Sequence, residues 1–467
     1  MNKKNTLVYN LSYAFIAQFI SLFLSVLMSL LVPKMLGVTE YGYWQLFVFY
    51  SSYAGFFHLG LIDGIYLILG GKDKSQLKYE ELKAQFIVLF IEQLIILIII
   101  NIIILFTNIS FERKFIIFST LFYMIIYNLS LFFGYIYQAT NRTKLYSLSI
   151  IVDKTFFILS IVMLLIGEVK DFRYFIILYL FSKSLSLIFC LYNGREIIFA
   201  KSCGVKKSLI LSYESTKIGI NLMIANIASQ LVLGIGRFCI DSHWGIENFG
   251  KISFSLQLTQ FFLLFISQIS MVLFPILRNV DGEKLKLMYI KARSVISIIL
   301  PSIYVIYFPI KTLLSMWIPQ YEDSLNYLIF MLPICIFDGK VQLLCNTYLK
   351  VIRKERILLG INIGAVAFSG IITVISIFLF DNLIITSVMM VVSIIFRSII
   401  CELFINKEIG ETKYTELFSE LIVTFIFVEM MWKYDNWLIY IILLFGYFIY
   451  LFINRNKLKE AIYYLKR

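Results

Sequence analysis

The sequence predicts an all-α polytopic membrane protein: fourteen transmembrane helices, arranged as two six-helix pseudo-symmetric bundles in parallel repeat plus two C-terminal helices. Three observations predict it. The 467 residues are 60% hydrophobic and 15% charged, with a mean hydropathy of +0.85, against about 25% charge in soluble domains. Apolar runs of more than the roughly 18 residues that mark a membrane helix recur along the whole chain. A glycine motif recurs far downstream in an ungapped register, the sign of a duplication.

Fourteen spans fit, over 7–35, 41–70, 82–106, 114–140, 145–167, 171–194, 214–240, 248–277, 288–316, 324–349, 357–380, 382–405, 414–432 and 436–454. Backbone groups in lipid must be satisfied within each segment, so these are helices. The stretch Met1-Asn-Lys-Lys before apolar sequence resembles a signal peptide. However, Leu7 to Leu36 is too long for one and no small-residue cleavage site follows, so a retained first span is expected.

The net charge is +13. In a soluble protein that would suggest nucleic acid; here it reflects the Lys and Arg that collect in cytoplasmic loops, and no nucleic-acid partner is expected. With the amino terminus inside, the cytoplasmic segments hold Lys3, Lys4, the 72–83 cluster, Arg142, Lys144, the 195–217 and 278–293 clusters, 350–356, Lys407, Lys413 and the tail after Arg455. That is roughly 29 of the 42 basic residues, which places both termini in the cytoplasm. The six cysteines show no metal or redox spacing and read as small apolar fillers; no metal or other cofactor is expected.

The repeat pairs Gly37-Val-Thr-Glu-Tyr-Gly-Tyr43 with Gly245-Ile-Glu-Asn-Phe-Gly-Lys251, 208 residues apart. Upstream, Ala17, Gln18 and Ser21 meet Ala225, Asn226 and Ser229; downstream, Lys83-Ala84 meets Lys291-Ala292. Six helices separate the two motifs. Six is even, so both halves cross with the same polarity, related by a pseudo-two-fold along the membrane normal. A second echo, at offset 212, pairs the basic turns 138–145 and 350–357. The expected division is 1–194 for the first bundle, 195–213 for a cytoplasmic linker, 214–406 for the second bundle, and 407–467 for two extra helices and a basic tail.

These residues resemble a family. Leu36-Gly37-Val-Thr-Glu-Tyr-Gly42 after the first span, Gly60-Leu-Ile-Asp-Gly64 near the end of the second, Ala139-Thr-Asn-Arg-Thr-Lys-Leu145 between the fourth and fifth, and Phe274-Pro275 closing the eighth are similar to the Wzx-like polysaccharide flippases. Those belong to the multidrug/oligosaccharidyl-lipid/polysaccharide exporter superfamily. The resemblance covers nearly the whole chain. It implies ion-coupled alternating access that moves an undecaprenyl-diphosphate-linked oligosaccharide from the inner to the outer leaflet of a bacterial cytoplasmic membrane. The implied partners are that lipid-linked substrate, membrane lipids, and a polysaccharide polymerase with its chain-length machinery.

The polar residues inside the spans supply site candidates. In span seven, Asn226, Gln230, Gly234, Arg237 and Asp241 form one stripe at helical spacing, echoed in span one by Asn10, Ala14, Gln18, Ser21, Ser25 and Ser29. Polar groups facing lipid are costly, so the stripes face a cavity or glue packed helices together. Span eight adds Lys251 and Gln257, and span two His58 and Asp63. A sugar diphosphate needs cations for phosphate and amides or hydroxyls for sugar. The substrate-binding candidates are therefore Arg237, Lys251, Gln230, Asn226, Gln18, His58 and Gln257. Lys251 also reads as a lysine that snorkels to the interface. Asp63, Asp153 and Asp338 are the ion-coupling candidates, with Lys154, Lys183, Lys340 and Arg397 as further intramembrane charges; the alternative for Asp153 and Lys183 is an internal pair holding helices in register. Glu402 and Glu429 read as structural. Tyr13 and Trp44 are aromatic candidates for stacking on sugar.

Two other readings stand beside the flippase. A multidrug or cation antiporter on the same fold calls for a compact acidic pocket. A membrane polysaccharide polymerase or glycosyltransferase calls for a large outer loop with catalytic acids, and the longest outer loops here are about ten residues. His58 and His243 form no nucleophilic or metal constellation, and no phosphate-binding Gly-rich motif appears, so no enzyme is expected.

Overall fold

The computed structural model describes residues 3–278, 282–410 and 414–465, and their side chains except those of 3–11, 268–269, 271–276, 278, 282, 355 and 461–465. Every regular element in these residues is helical. The side chains of Asn10, Phe274 and Pro275 and the whole of Lys413 lie outside the described part. The chain falls into two compact units, Met1–Ile227 and Ala228–Arg467.

The first unit holds α1 (Lys3–Leu30), α2 (Val32–Met35), α3 (Val38–Ala54), α4 (Leu61–Leu69), α5 (Tyr79–Leu105), α6 (Phe111–Ala139), α7 (Thr143–Ile166), α8 (Phe172–Asn193) and α9 (Arg195–Ile198). It ends within α10 (Val205–Arg278). The second unit takes the rest of α10, then α11 (Gly282–Ile299), α12 (Ser302–Trp317), α13 (Glu322–Met331), α14 (Pro333–Lys340), α15 (Asn346–Val351), α16 (Glu355–Phe380), α17 (Leu383–Ile409), α18 (Thr415–Tyr434), α19 (Trp437–Ile453) and α20 (Arg455–Leu465). Among the described residues nine helices are long and apolar enough to cross a membrane, or ten if the bent pair Pro319–Met331 and Pro333–Val351 counts as one.

One of those nine is the long helix. At 74 residues α10 would run about 110 Å if straight, several times a ~30 Å hydrocarbon core. It is divided at Gly245, whose φ of 80° and ψ of −177° are non-helical. Only glycine adopts that backbone without strain. The loop expected over 241–247 thus contracts to one residue, with the seventh and eighth spans on either side of it. Gly37, its partner in the repeat, has φ −64° and ψ 167° and simply caps α3. The glycines align in sequence but bend the chain differently.

Three predicted spans are interrupted. The second parts between Ala54 and Leu61, where Leu59 and Gly60 take positive φ. The ninth parts at Pro301. The tenth bends by 42° ahead of Pro333 and contains a π-helical turn over Val341–Cys345. Proline cannot donate to the preceding turn, and both are standard causes of a bent helix. The segment 195–213, expected as a linker, is mostly helical, in α9 and the start of α10. The basic tail forms α20, which ties to α11 through Lys291 and Glu460 at 3.2 Å.

Each unit has its own packed centre. In the first, Leu61, Ile62 and Ile65 of α4 pack on Phe132, Phe133 and Ile136 of α6 and on Leu82 and Leu89 of α5. In the second, Tyr289, Leu344, Tyr348, Cys401 and Ile405 pack together. Lipid tails are as apolar as these side chains, so close fit and hydrogen bonds hold such helices together more than escape from water does.

Candidate functional site

The break in the second span is a built structure. Ending α3 frees backbone groups that lipid cannot satisfy. Asn128 of α6 donates to the Ala54 carbonyl at 3.1 Å and to Gln93 Oε1 at 2.7 Å. Gln93 of α5 donates to the Phe57 carbonyl at 2.9 Å, and the Gly60 N–H donates to His58 Nδ1 at 3.0 Å. His58 Nε2 then lies 3.7 Å from Asp63 Oδ2, with both side chains buried. Thus His58 and Asp63, expected for substrate and ion, stand together, and His58 also caps the break. A Cβ on Gly64 would sit 1.8 Å from the Ser215 carbonyl, and one on Gly219 2.1 Å from the Gly60 carbonyl. The glycines therefore let the start of α10 touch this segment backbone to backbone.

A second cluster joins α7 and α8. Lys183 donates to Asp153 at 2.7 Å, and Lys154 stands 3.6 Å from the same oxygen. Lys183 Nζ faces the rings of Tyr179, Tyr127 and Tyr123 at 5.5, 5.8 and 6.0 Å, within cation–π reach. The register pair between Asp153 and Lys183 is therefore present. Lys154 is additional to it, and no second carboxylate pairs with the cluster among the described residues. Two lysines share one carboxylate, leaving one net positive charge. Trp44 does not offer a face for sugar: it is 1% exposed, enclosed by Phe47, Phe157, Phe175 and Tyr179. Tyr13 lies 4.8 Å beneath Lys144 Nζ.

The second unit balances its buried charges. Arg397 of α17 pairs with Asp338 of α14 and donates to Ser229 Oγ at 3.1 Å, and Gln342 donates to Asp338 at 3.0 Å. Nearby in sequence, Lys340 pairs with Glu402 at 2.7 Å and with Glu420, while Arg293 pairs with Glu402 and lies 3.7 Å from Glu416. Asp338, Lys340 and Arg397 are all expected candidates, and the fold gives each a partner. Reading by sequence missed Arg293, Glu420, Gln93 and Asn128. Glu420, Gln93 and Asn128 sit in apolar runs, the signal that singles out Asn226, but none belongs to a stripe, while Arg293 was counted with the basic 278–293 cluster and is instead buried.

The stripe on α10 does not share one environment. Asn226 and Gln230 are exposed, Gly234 and Asp241 are buried, and Arg237 lies between these extremes. Arg237 donates to Ser253 Oγ at 3.0 Å and stacks over Phe249 at 5.1 Å, which braces it against the other arm of the bent helix. Lys251, on that arm, pairs with Asp323 at 2.8 Å. Gln18 and Gln257 are both partly buried.

No family model matches the sequence, and no curated protein matches it. Solved structures do. One is described as an inward-facing multidrug resistance MATE family transporter of the MOP superfamily; it is 12% identical, with a TM-score of 0.60, over 83% of this chain and 94% of that one. Another is the lipid II flippase MurJ in an inward closed conformation, 13% identical with a TM-score of 0.62, over 96% of this chain and 99% of that one. The chain shares its fold with these two. At such identity the likeness is one of architecture, that of a polytopic helical membrane protein.

Proposed function

We propose that the chain is a flippase for an undecaprenyl-diphosphate-linked oligosaccharide, moved from the inner to the outer leaflet of a bacterial cytoplasmic membrane by ion-coupled alternating access. The fold it shares nearly end to end with a lipid II flippase supports a lipid-linked substrate. The observation that carries the choice of an anionic head group is the Lys183–Asp153–Lys154 cluster, with its excess cation inside the first unit. A diphosphate takes such cations, and a cationic drug is repelled by them. Arg237, held by Ser253 and Phe249, is the residue of the second unit that we assign to the substrate. Asp63, buried beside His58, is the residue we assign to the coupling ion.

The second reading is a multidrug or cation antiporter, which the likeness to a multidrug resistance transporter supports. The two separate in one assay. In a strain deleted for this protein, wild type is expected to restore surface polysaccharide, and Arg237→Ala to reach the membrane without restoring it. Full restoration by Arg237→Ala removes that residue from the site; loss of drug resistance in place of polysaccharide favours the antiporter.

A further inference from the structure

A cavity of about 370 Å³ opens in the second unit, lined by Asp323, Asn326, Tyr327, Ile329 and Phe330 of α13, Ile384 of α17, Met431 and Trp432 of α18, and Asp435 just after it. Of the five α13 residues, Asp323, Asn326, Tyr327 and Phe330 recur at i, i+3, i+4 and i+7, so one face of that helix forms most of a wall. Trp432 forms another, 55% exposed and held edge-on against Phe330 with ring centres 5.7 Å apart.

The polar groups are arranged for a neutral ligand. Asp323 pairs with Lys251 at 2.8 Å, and Asp435 pairs with Lys311. Each carboxylate already has its cation, so the cavity has no reason to select a cationic guest. Lys311 also donates to Asn326 Oδ1 at 2.9 Å, so the amide nitrogen of this exposed residue is the group that can donate to a ligand. Hydroxyl acceptors, an amide donor and an aromatic face around one small space are the complement of a sugar ring: its hydroxyls meet carboxylates and amide, its apolar face meets the indole. The volume lies near the lower end of the ~300–1,000 Å³ of small-molecule clefts, so one or two rings fit and a long glycan does not.

The cavity stands at one end of its helices. Asp323 and Ile384 open α13 and α17, while Lys350 and Lys407 lie at the other ends of the α13–α15 run and α17. The charge bias that sets orientation assigns the lysine ends to the cytoplasm and the cavity to the outer side.

We propose that this cavity is a carbohydrate subsite, which receives one sugar of the transported glycan on the outer side. The assignment to the transported glycan rests on the flippase reading; the subsite itself does not. The test uses the purified full chain in nanodiscs, titrated calorimetrically with free glucose, galactose, rhamnose and N-acetylglucosamine, and separately with tetraphenylphosphonium as a cation probe. At least one sugar is expected to bind, and Trp432→Ala and Asn326→Leu each to weaken it about tenfold or more. Trp432→Phe is expected to keep binding within about threefold. Trp432 is largely exposed, so its replacement leaves the core intact, and monodispersity of each variant on size exclusion is checked before titration. Binding of no sugar in the panel, binding that ignores both variants, or Trp432-dependent binding of the cation alone would overturn the proposal. Sugar binding in a protein that flips no lipid would retain the subsite and defeat the flippase reading; flipping without sugar binding would do the reverse.

Discussion

The two units treat intramembrane charge differently. In the second, Arg397 meets Asp338, while Lys340 and Arg293 meet Glu402 and Glu420. In the first, Lys183 and Lys154 share Asp153 alone among the described residues, and Asp63 faces a histidine whose charge is optional. Balanced groups anchor helices; unbalanced ones are available to a ligand. The same contrast appears in the helix breaks. Proline and a π-turn bend the tenth span, whereas side-chain amides and a histidine hold the second span open.

The largest effect expected on this comparison comes from the balanced side. Lys340→Met leaves Glu402 and Glu420 buried without that cation, a loss of about 3–5 kcal/mol. Thermal unfolding in detergent is expected to show it, and adding Glu420→Gln to restore much of it. An unshifted midpoint would show that the network is not structural. Next comes the close approach at the broken span. Gly64→Ala places a methyl 1.8 Å from a backbone oxygen that cannot swing away. We expect roughly 1–3 kcal/mol of destabilisation and loss of transport; a variant that transports normally would show that α10 does not need to touch this segment.

Asn128→Leu is predicted to cost about 1–3 kcal/mol, because buried Gln93 Oε1 loses the amide donor and the Ala54 carbonyl keeps only the Phe57 N–H. Hydrogen exchange is expected to quicken around residues 54–60, and unchanged protection would mean that the break holds itself. Lys154→Met is the converse case. Asp153 keeps Lys183, so stability is expected to change by less than about 1 kcal/mol, while head-group affinity falls on the order of tenfold. Equal loss of stability and affinity would make Lys154 another anchor. The smallest effect lies outside the membrane. Hydrogen bonds from Lys74 and then Tyr79 hold the Glu196 carboxyl below the usual range. Its contribution is therefore present above the unfolded carboxylate value and is lost as pH falls through the folded one. The pair is about half exposed, so Glu196→Gln is expected to cost at most ~1 kcal/mol, and less in high salt.

Much of this was legible in the residues. The apolar runs marked the helices because bilayer thickness fixes their length. The glycine echo located Gly245, yet not that the turn there would be a single residue, since that depends on one φ angle. Asp153 and Lys183 were readable as a pair, being opposite charges near the middle of neighbouring spans, with Lys154 beside the first. The partner of Asp338 was not readable, because Arg397 is 59 positions away and helix packing chose it. Nor was the break at Ala54–Leu61: its glycines also fit a continuous span, and its supports, Gln93 and Asn128, come from other helices. The sugar-sized cavity was invisible for the same reason, since α13, α17 and α18 meet only in the fold.

The account turns on what crosses the membrane. The direct measurement is transbilayer movement of a lipid-linked oligosaccharide, taken from a strain lacking this protein, in proteoliposomes containing the purified chain. Lectin accessibility would report the arrival of the glycan at the opposite leaflet. We predict movement that depends on wild-type protein, is abolished by Arg237→Ala and slowed by Lys154→Met. Accessibility no faster than in protein-free liposomes, with uptake of a lipophilic cation instead, would contradict it.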